Sequence, residues 1–515
     1  MAADSRNAHR VAAARITANG VQREKPLRAR PLSRMDELTL RLCDGTAIVV
    51  PRSLESITTY VLLEQERWFE KETAIAALLD AGTNAIDIGA NFGVYSLPLA
   101  RRAGPGGAVF AYEPASATRA FLEKSRVLNG ASNLTIAAAA LSDTPRRGQL
   151  GFGSSGELHR LNDAGPGESV AIASLDSENR ARAWPQIDFV KIDAEGEELR
   201  ILEGGQDFFA RHAPLTMFEC KAGDRIDHAV PQKFREMGYG IFRLLSGHPL
   251  LVPVAPNEAI DGFEINLFAA KPGRAARLAR ENRLVERLPQ PWTPDAQARA
   301  AVLDLLNAQI FAPPFRAFFT PERLDPVHRD ALAGYAIWRD HARPATERYA
   351  ALTFAFLVMR DLCRERPNLA RLSSFARFAW ECGRTGIALD ALNAIFAAIQ
   401  RKEGGMSEAF WPVSPRFDAV PPGANPADWF MVAVLEHQER CASHSSLFTP
   451  FARNLDWLAA QPLASAEIER RRMLQRLRMG EQLPVPQRLR TAAPDHINAE
   501  VWRDGLVPNT LTSHI

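Results

Sequence analysis

The chain has little of what would mark it as secreted, membrane-embedded or built around metal. Its 515 residues hold 5 cysteines, at 43, 220, 363, 382 and 441. They are scattered, odd in number and without Cys-x-x-Cys spacing. That disfavours a disulfide framework and a zinc site, and it points to a reducing, cytoplasmic setting. No segment reaches the roughly 18 apolar residues of a membrane span. The longest candidate, 350–359, is stopped by Arg360 and Asp361 and reads as a core helix. An excess of one charge is also missing: 62 Lys and Arg face 60 Asp and Glu, a net +2. No nucleic-acid partner is therefore expected from composition. The N-terminus lacks the apolar stretch of a secretory signal. Residues 1–34 carry only Asp4 and Glu24 as acids and read as a basic flexible arm in preference to a transit peptide.

What is present fits several soluble domains: 46% hydrophobic and 24% charged residues over a length that prior expectation divides into about three. Residues 35–84 read as a β-hairpin (38–42 and 47–50) followed by helices at 57–63 and 70–79. From 85 to 272 strands and helices alternate. Strands are expected at 85–89, 108–112, 134–140, 187–192, 215–218, 241–245 and 265–270. Helices are expected at 94–103, 117–128, 198–211 and 231–237. Short strands at 149–152 and 169–173 flank a Gly/Ser-rich loop. Such alternation implies an α/β fold with a parallel, doubly wound sheet. The last two strands read as an antiparallel pair at its edge. After Lys271-Pro272-Gly273 the strand signals vanish. Residues 273–480 read as an all-α domain, and 481–515 as an extended or docked tail. Within the helical part, 372–395 weakly resembles one tetratricopeptide repeat, with an ordinary αα-hairpin as the equal alternative.

Three motifs carry chemistry. The first is AIDIGANFGVYS, 85–96, a strand, a glycine turn and a helix start. Asp87-x-Gly89-x-Asn91-x-Gly93 is not the dinucleotide fingerprint Gly-x-Gly-x-x-Gly. Bare backbone there can approach a ligand, while a carboxylate would repel a pyrophosphate but accept from an ammonium or a hydroxyl. The second is Glu113, closing the next strand in VFAYEP, where a carboxylate can accept both hydroxyls of a ribose. The third is DFVKIDAEGEE, 188–198. Lys191 and Asp193 share a strand face, and Asp193, Glu195 and Glu198 gather where strand meets helix. Part of that cluster can be helix capping.

In order along the chain, AIDIGANFGVYS, VFAYEP, AALSD, SLD and FVKIDAEGEELRILEG resemble the FkbM family of S-adenosylmethionine-dependent O-methyltransferases, over roughly 57–271. The resemblance implies a class I methyltransferase (Rossmann-like) sheet with a reversed last strand. It puts Asp87, Gly89, Asn91 and Gly93 around the methionine part of S-adenosylmethionine and Glu113 on its ribose. An approach segment of Trp68, Phe69 and Glu70 would precede them. Many class I enzymes hold the adenine amino group with an Asp after the third strand. Here that place reads Ala139-Ala140-Leu141-Ser142, which leaves backbone groups or Ser142.

Asp193 is then the first candidate base for a hydroxyl acceptor, with Lys191 holding it ionised or orienting the acceptor. Glu219 is expected beside it at the end of the next strand. A less favoured variant uses Asp193, Glu195 and Glu219 to hold Mg²⁺, and no metal site is assigned. The acceptor expected from the family is a sugar, glycan or secondary metabolite. The helical half suits docking of a protein partner or a glycan. A binding scaffold that has lost activity is the alternative, and a nicotinamide-dependent oxidoreductase ranks third. His212, His228 and His248 read as surface or capping residues. Arg470, Arg471, Arg472, Arg476 and Arg478 read as a solvated helix face.

Overall fold

The computed structural model describes residues 37–65, 72–151, 157, 159–162, 166–222, 225–245, 248–287, 291–449, 453–491 and 496–508. The basic arm and the segment Trp68, Phe69 and Glu70 lie outside the described residues.

An N-terminal hairpin pairs β1 (Glu37–Arg41) with β2 (Ala47–Pro51). The central sheet takes strands from the alternating region: β3 (Ala85–Ile88), β4 (Val109–Tyr112) and β5 (Leu134–Ala137). A second sheet uses β6 (Ala139–Leu141), β7 (Arg146–Gly151), β8 (Arg160–Asn162) and β9 (Glu168–Ala173), in the order β6-β9-β7-β8. The central sheet continues with β10 (Phe189–Ile192) and β11 (Leu215–Glu219). A two-residue pair, β12 (Lys221–Ala222) and β13 (Arg225–Ile226), interrupts the run. Then come β14 (Gly240–Leu244), β15 (Leu251–Pro253) and β16 (Asn266–Ala270).

The eight-stranded order is β15-β14-β16-β11-β10-β3-β4-β5. Strands β5, β4, β3, β10 and β11 run parallel, and β16 runs against both of its neighbours. This is the doubly wound class I methyltransferase sheet with its last strand reversed. The edge differs from expectation. All five residues of β16 are buried, so the strand sits inside the sheet between β11 and β14. The short β15, which ends in Pro253, closes the edge, where a missing amide costs least.

Two other expectations need correction. The single strand expected at 134–140 breaks after Ala137. Its second piece, β6, leaves the main sheet and pairs with β9. The helix expected at 198–211 is two helices, Glu198–Glu203 and Gln206–His212, parted by Gly204 and Gly205. A Cβ at Gly204 would fall 2.4 Å from the Ser142 carbonyl oxygen, so the chain there passes directly against the loop after β6.

Apolar strands bury both faces of the sheet. Phe189, Met217 and Phe268 pack on one side, and Ile86, Val190, Phe208 and Phe218 on the other. The helix Pro272–Arg280 puts Ala275 and Leu278 into the first of these cores. Downstream, the helical half builds its own core, rich in Trp and Phe.

The C-terminus returns to the beginning of the chain. Helices Gln487–Thr491 and Ala499–Arg503 bring Leu489, Val501 and Trp502 into the core beneath the hairpin. Asn498 exchanges hydrogen bonds with the Arg41 backbone at 2.7 and 3.0 Å, and Trp502 Nε1 donates to the Leu63 carbonyl at 3.0 Å.

The arginine run is not a solvated face. Arg470 and Arg471 are buried. Arg470 donates to the Glu64 carbonyl, and Arg471 bonds Glu467 at 3.0 Å. Desolvating two guanidinium groups is tolerable only with such partners, and Glu64, which also lies 3.6 Å from Arg471, joins the helix Ile57–Glu64 to the helical half. Among the described residues, no helix is long and apolar enough to cross a membrane.

Candidate active site

The site forms at the C-terminal edge of β3, β4, β10 and β11, where open α/β sheets place ligands. After β3 the chain turns through three left-handed residues, Gly89 (φ 74°), Asn91 (φ 50°) and Gly93 (φ 95°). Gly89 is required by proximity, because a Cβ there would lie 1.8 Å from the Asp193 carbonyl oxygen. Gly93 faces the other way: its Cβ would meet Leu122 Cδ1 at 2.5 Å, so it permits packing of the turn on a helix and does not line the cleft.

Lys191, on β10, anchors this turn from below. It is buried, donates to the Gly89 carbonyl at 2.9 Å, and lies 3.3 Å from Asp193 and 3.5 Å from Asp87. The Tyr95 ring centroid is 5.1 Å from its Nζ. Burial works to lower the Lys191 pKa, but Asp193 and Asp87 together outweigh it and hold the ammonium charged. Asp87 itself is wholly buried and accepts from Ser96 Oγ at 2.5 Å. It sits beneath the glycine turn, not on the cleft surface.

Above that floor lies a cleft of about 280 Å³. Gly89 and Asn91 line it from the turn, with Glu113 from the end of β4. Glu113 is fixed by two backbone amides, Asn91 N on Oε2 and Ala115 N on Oε1, both at 2.9 Å. Burial raises its pKa to about 7, even though those amides and Lys191 oppose the rise. Asn91 Oδ1 is buried with no hydrogen-bond partner among the described residues, an acceptor left for a ligand.

The far wall carries Asp193, Glu195 and Glu219. Glu195 holds a left-handed backbone (φ 53°), a conformation with a cost that functional sites often carry. Burial and the neighbouring Asp193 push its pKa up to about 7. Glu219 rises to about 9, from burial first and then Asp193, Glu195 and Glu198. Glu198 is a cap: it accepts from Ala194 N at 2.9 Å and Gly196 N at 3.3 Å.

Six carboxyl groups line the cleft: Glu113, Glu157, Asp193, Glu195, Glu197 and Glu219. Lys191 is the one ammonium facing them among the described lining residues, and His159 is kept neutral by burial. The cleft is therefore rich in carboxyl groups that burial and mutual repulsion keep from ionising, and a ligand that brings positive charge would favour their ionised forms. Asp193, Glu195 and Glu219 share it, yet the described residues include no group of three or more His, Cys, Asp or Glu that could hold a metal ion.

Ser142, one of the two expected sources of an adenine contact, does not face the cleft. Ser142 is fully buried, donates to Glu197 Oε2 at 2.5 Å, and is absent from the cleft lining, where Ala139, Ala140 and Leu141 stand. Its hydroxyl is already used in orienting Glu197. Two of the three histidine readings also change. His212 is buried, its Nδ1 accepting from Ile187 N at 3.2 Å and its Nε2 beside Asn179 Oδ1 at 3.1 Å. His248 is half-buried and packs on Trp338 of the helical half. His228 is exposed, at the start of a helix.

Sequence reasoning missed Tyr95, Thr118, Glu157, His159 and Phe448 in the lining. Tyr95 lay inside the first motif and could have been found there. Glu157 and His159 sit in the Gly/Ser-rich loop, where no spacing marks them. Phe448 comes from the helical half, 250 residues beyond the last motif, and only the fold brings it to the cleft.

The sheet order, with its reversed last strand, is that of the class I methyltransferase fold. Residues 87–241 match the model of the methyltransferase FkbM domain, and the domain is of that kind. No curated protein matches the chain. Similar solved structures include methyltransferase FkbM from Methylobacillus flagellatus, at 18% identity and TM-score 0.28, covering 40% of this chain and 49% of that one. An S-adenosylmethionine-dependent O-methyltransferase from Thermotoga maritima is similar at 15% identity and TM-score 0.26, covering 47% and 94%. Fibrillarin from Aeropyrum pernix, in complex with S-adenosyl-L-methionine, is similar at 12% identity and TM-score 0.25, covering 46% and 94%. The chain thus spans about half the length of the Methylobacillus protein.

Proposed function

We propose that this protein transfers a methyl group from S-adenosylmethionine to a hydroxyl of a sugar, glycan or secondary metabolite. The observation that carries the reading is the excess of carboxyl groups in the cleft, six beside one ammonium, with Glu113, Glu195 and Glu219 pushed towards their neutral forms for want of positive charge. S-adenosylmethionine carries a sulfonium and an ammonium, so it supplies what the cleft lacks. The residues present fit it. Glu113, preset by two amides, keeps lone pairs for the ribose hydroxyls, and Asn91 Oδ1 is an open acceptor. Asp87 acts through Lys191 and Ser96 by fixing the turn.

When bound, the cofactor supplies an electrophilic methyl carbon on sulfur. The chain must then hold an acceptor oxygen in line with that carbon and take its proton. Asp193 and Glu195 are the groups for that proton. Lys191 orients Asp193 at 3.3 Å, and Glu195, at about 7, is matched to accept a proton near neutrality. Glu219, protonated up to about pH 9 in the empty cleft, ionises once the positive cofactor is beside it and then accepts a hydrogen bond from the acceptor hydroxyl. The new C–O bond forms as the methyl–sulfur bond breaks, and the hydroxyl proton ends on the carboxylate.

The test is incubation with methyl-labelled S-adenosylmethionine and a panel of glycans and hydroxylated metabolites. The expected product carries label in an ether that survives mild alkali. Label found only in alkali-labile esters or on nitrogen would contradict O-methyl transfer. Binding of cofactor without turnover on any acceptor would favour the scaffold reading.

A further inference from the structure

A second cavity, of about 620 Å³, lies between the sheet edge and the helical half. It is separated from the methyl-transfer cleft by a thin partition. Phe263 and Glu264 face the cavity while Ile265 faces the cleft, and His444 faces the cavity while Phe448 faces the cleft. The two strips are joined by a hydrogen bond between His444 Nε2 and the Phe263 carbonyl, 2.9 Å.

The chemistry of its wall differs from that of the cleft. Five arginines and five carboxyl groups line it, and all but Asp261 are ion-paired. Arg377 bonds Glu381 at 2.5 Å and Asp418 at 2.9 Å, and Arg339 lies 3.0 Å from Asp418. Glu467 takes Arg440 at 2.6 Å and Arg471 at 3.0 Å. Burial lowers the pKa of His248, His341 and His437, the last to about 3, so they add no positive charge at neutral pH. A free anion would find no uncompensated cation, and the one lining carboxylate without an arginine, Asp261, already accepts the Phe263 and Gly386 amides at 3.0 Å.

Trp380 and Phe263, both partly exposed, provide ring surface in the same wall, with the wholly buried Tyr335 and Trp338 packed behind it. His437 is 2% exposed and its Nδ1 has no hydrogen-bond partner among the described residues. An orphaned nitrogen in a cavity wall points to a ligand that brings its own polar group. Aromatic rings beside planar, charge-paired donors and acceptors suit a molecule with many hydroxyls and apolar C–H faces. The volume falls in the range of small-molecule sites, about 300–1,000 Å³.

We propose that this junction cavity binds a neutral saccharide and, on the methyl-transfer reading of the adjacent cleft, holds the part of a glycan acceptor remote from the methylated hydroxyl. The helical half then supplies acceptor recognition and the sheet supplies chemistry.

The experiment is saturation-transfer NMR on the full chain with a mixture of the methyl glycosides of glucose, mannose, galactose, fucose and N-acetylglucosamine. Inorganic phosphate is titrated separately by calorimetry. Saturation of glycoside ring protons is expected, weakened at least tenfold in Trp380→Ala and retained in Trp380→Phe, with circular dichroism confirming that each variant is folded. Should Trp380→Ala fail to fold, Arg339→Ala, at an exposed position on the rim, is expected to weaken the same signals. No saturation of any glycoside by wild type, or saturation equal in the folded variants, would overturn the proposal. Binding of phosphate in place of glycosides would also overturn it. Calorimetry of wild type with S-adenosylmethionine separates the two readings. Glycoside binding without cofactor binding removes methyl transfer but keeps the cavity, and the reverse result removes the cavity alone.

Discussion

The two cavities hold buried charge in opposite ways. In the cleft, six carboxyl groups surround one lysine, and the pKa values of Glu113, Glu195 and Glu219 are driven up to about 7, 7 and 9. In the junction cavity, arginines and carboxyl groups are paired, and Glu467 is driven down to about 2 by three neighbouring arginines in spite of its burial. Unmatched charge is stored electrostatic strain that a ligand of opposite sign relieves. Matched charge is a finished structure that can still offer hydrogen bonds. The difference teaches that burial of ionisable groups does not by itself name a ligand; the balance of their signs does.

The comparison breaks most sharply at Lys191. Replacing it with Met leaves Asp87 buried without its counter-ion. Losing one partner of a buried pair typically costs about 3–5 kcal/mol. Thermal unfolding is expected to drop accordingly, and cofactor binding to vanish in calorimetry. A variant that binds and unfolds like wild type would remove Lys191 as the cleft's organiser.

Next is Glu195→Gln. Loss of a general base typically costs about 10²–10⁴-fold in rate. In wild type the base form is lost as pH falls through about 7, so kcat should fall on the acid side. The variant is expected to be slow and flat across that range. A wild-type rate with an unchanged acid limb would move the base elsewhere, Asp193 being the first place to look.

Glu219 sharpens the comparison through stability. Its folded pKa of about 9 lies above the ordinary 4.5, so the folded chain binds a proton that the unfolded chain releases. That contribution is fully present below about pH 4.5 and is lost as pH rises through about 9. Glu219→Gln is expected to flatten the decline of Tm between pH 6 and 9, read by calorimetric scanning without ligand. The smallest effect is expected at Ser142→Ala. The hydroxyl is committed to Glu197 and does not line the cleft, so cofactor affinity should change by roughly threefold or less, under about 1 kcal/mol.

These contrasts also explain how far the sequence could be read. The sheet and its glycine turn were visible because strand periodicity and glycine placement are local. Gly89, Asn91, Glu113, Lys191, Asp193 and Glu195 then fell together at one sheet edge. What a side chain faces was not visible. Asp87 and Ser142 sit in motif positions yet turn away from the cleft, because Lys191 and Glu197 hold them. Gly93 is kept by Leu122, a packing neighbour that no spacing reveals. The arginine run misled for the same reason. Charge at the surface and charge paired in an interface look alike until Glu64 arrives from the far end of the chain. The insertion of β16 inside the sheet is likewise a long-range pairing, decided by burial on both faces.

The central claim is that the cleft's excess carboxyl charge awaits a cationic cofactor. It is tested most directly by titrating S-adenosylmethionine into the protein at pH 8 in two buffers of different ionisation enthalpy. A positive ligand beside Glu219 should lower its pKa and expel its proton. The account predicts binding with net proton release, and less release with neutral-sulfur S-adenosylhomocysteine. No binding, or binding with no proton exchanged, would contradict it.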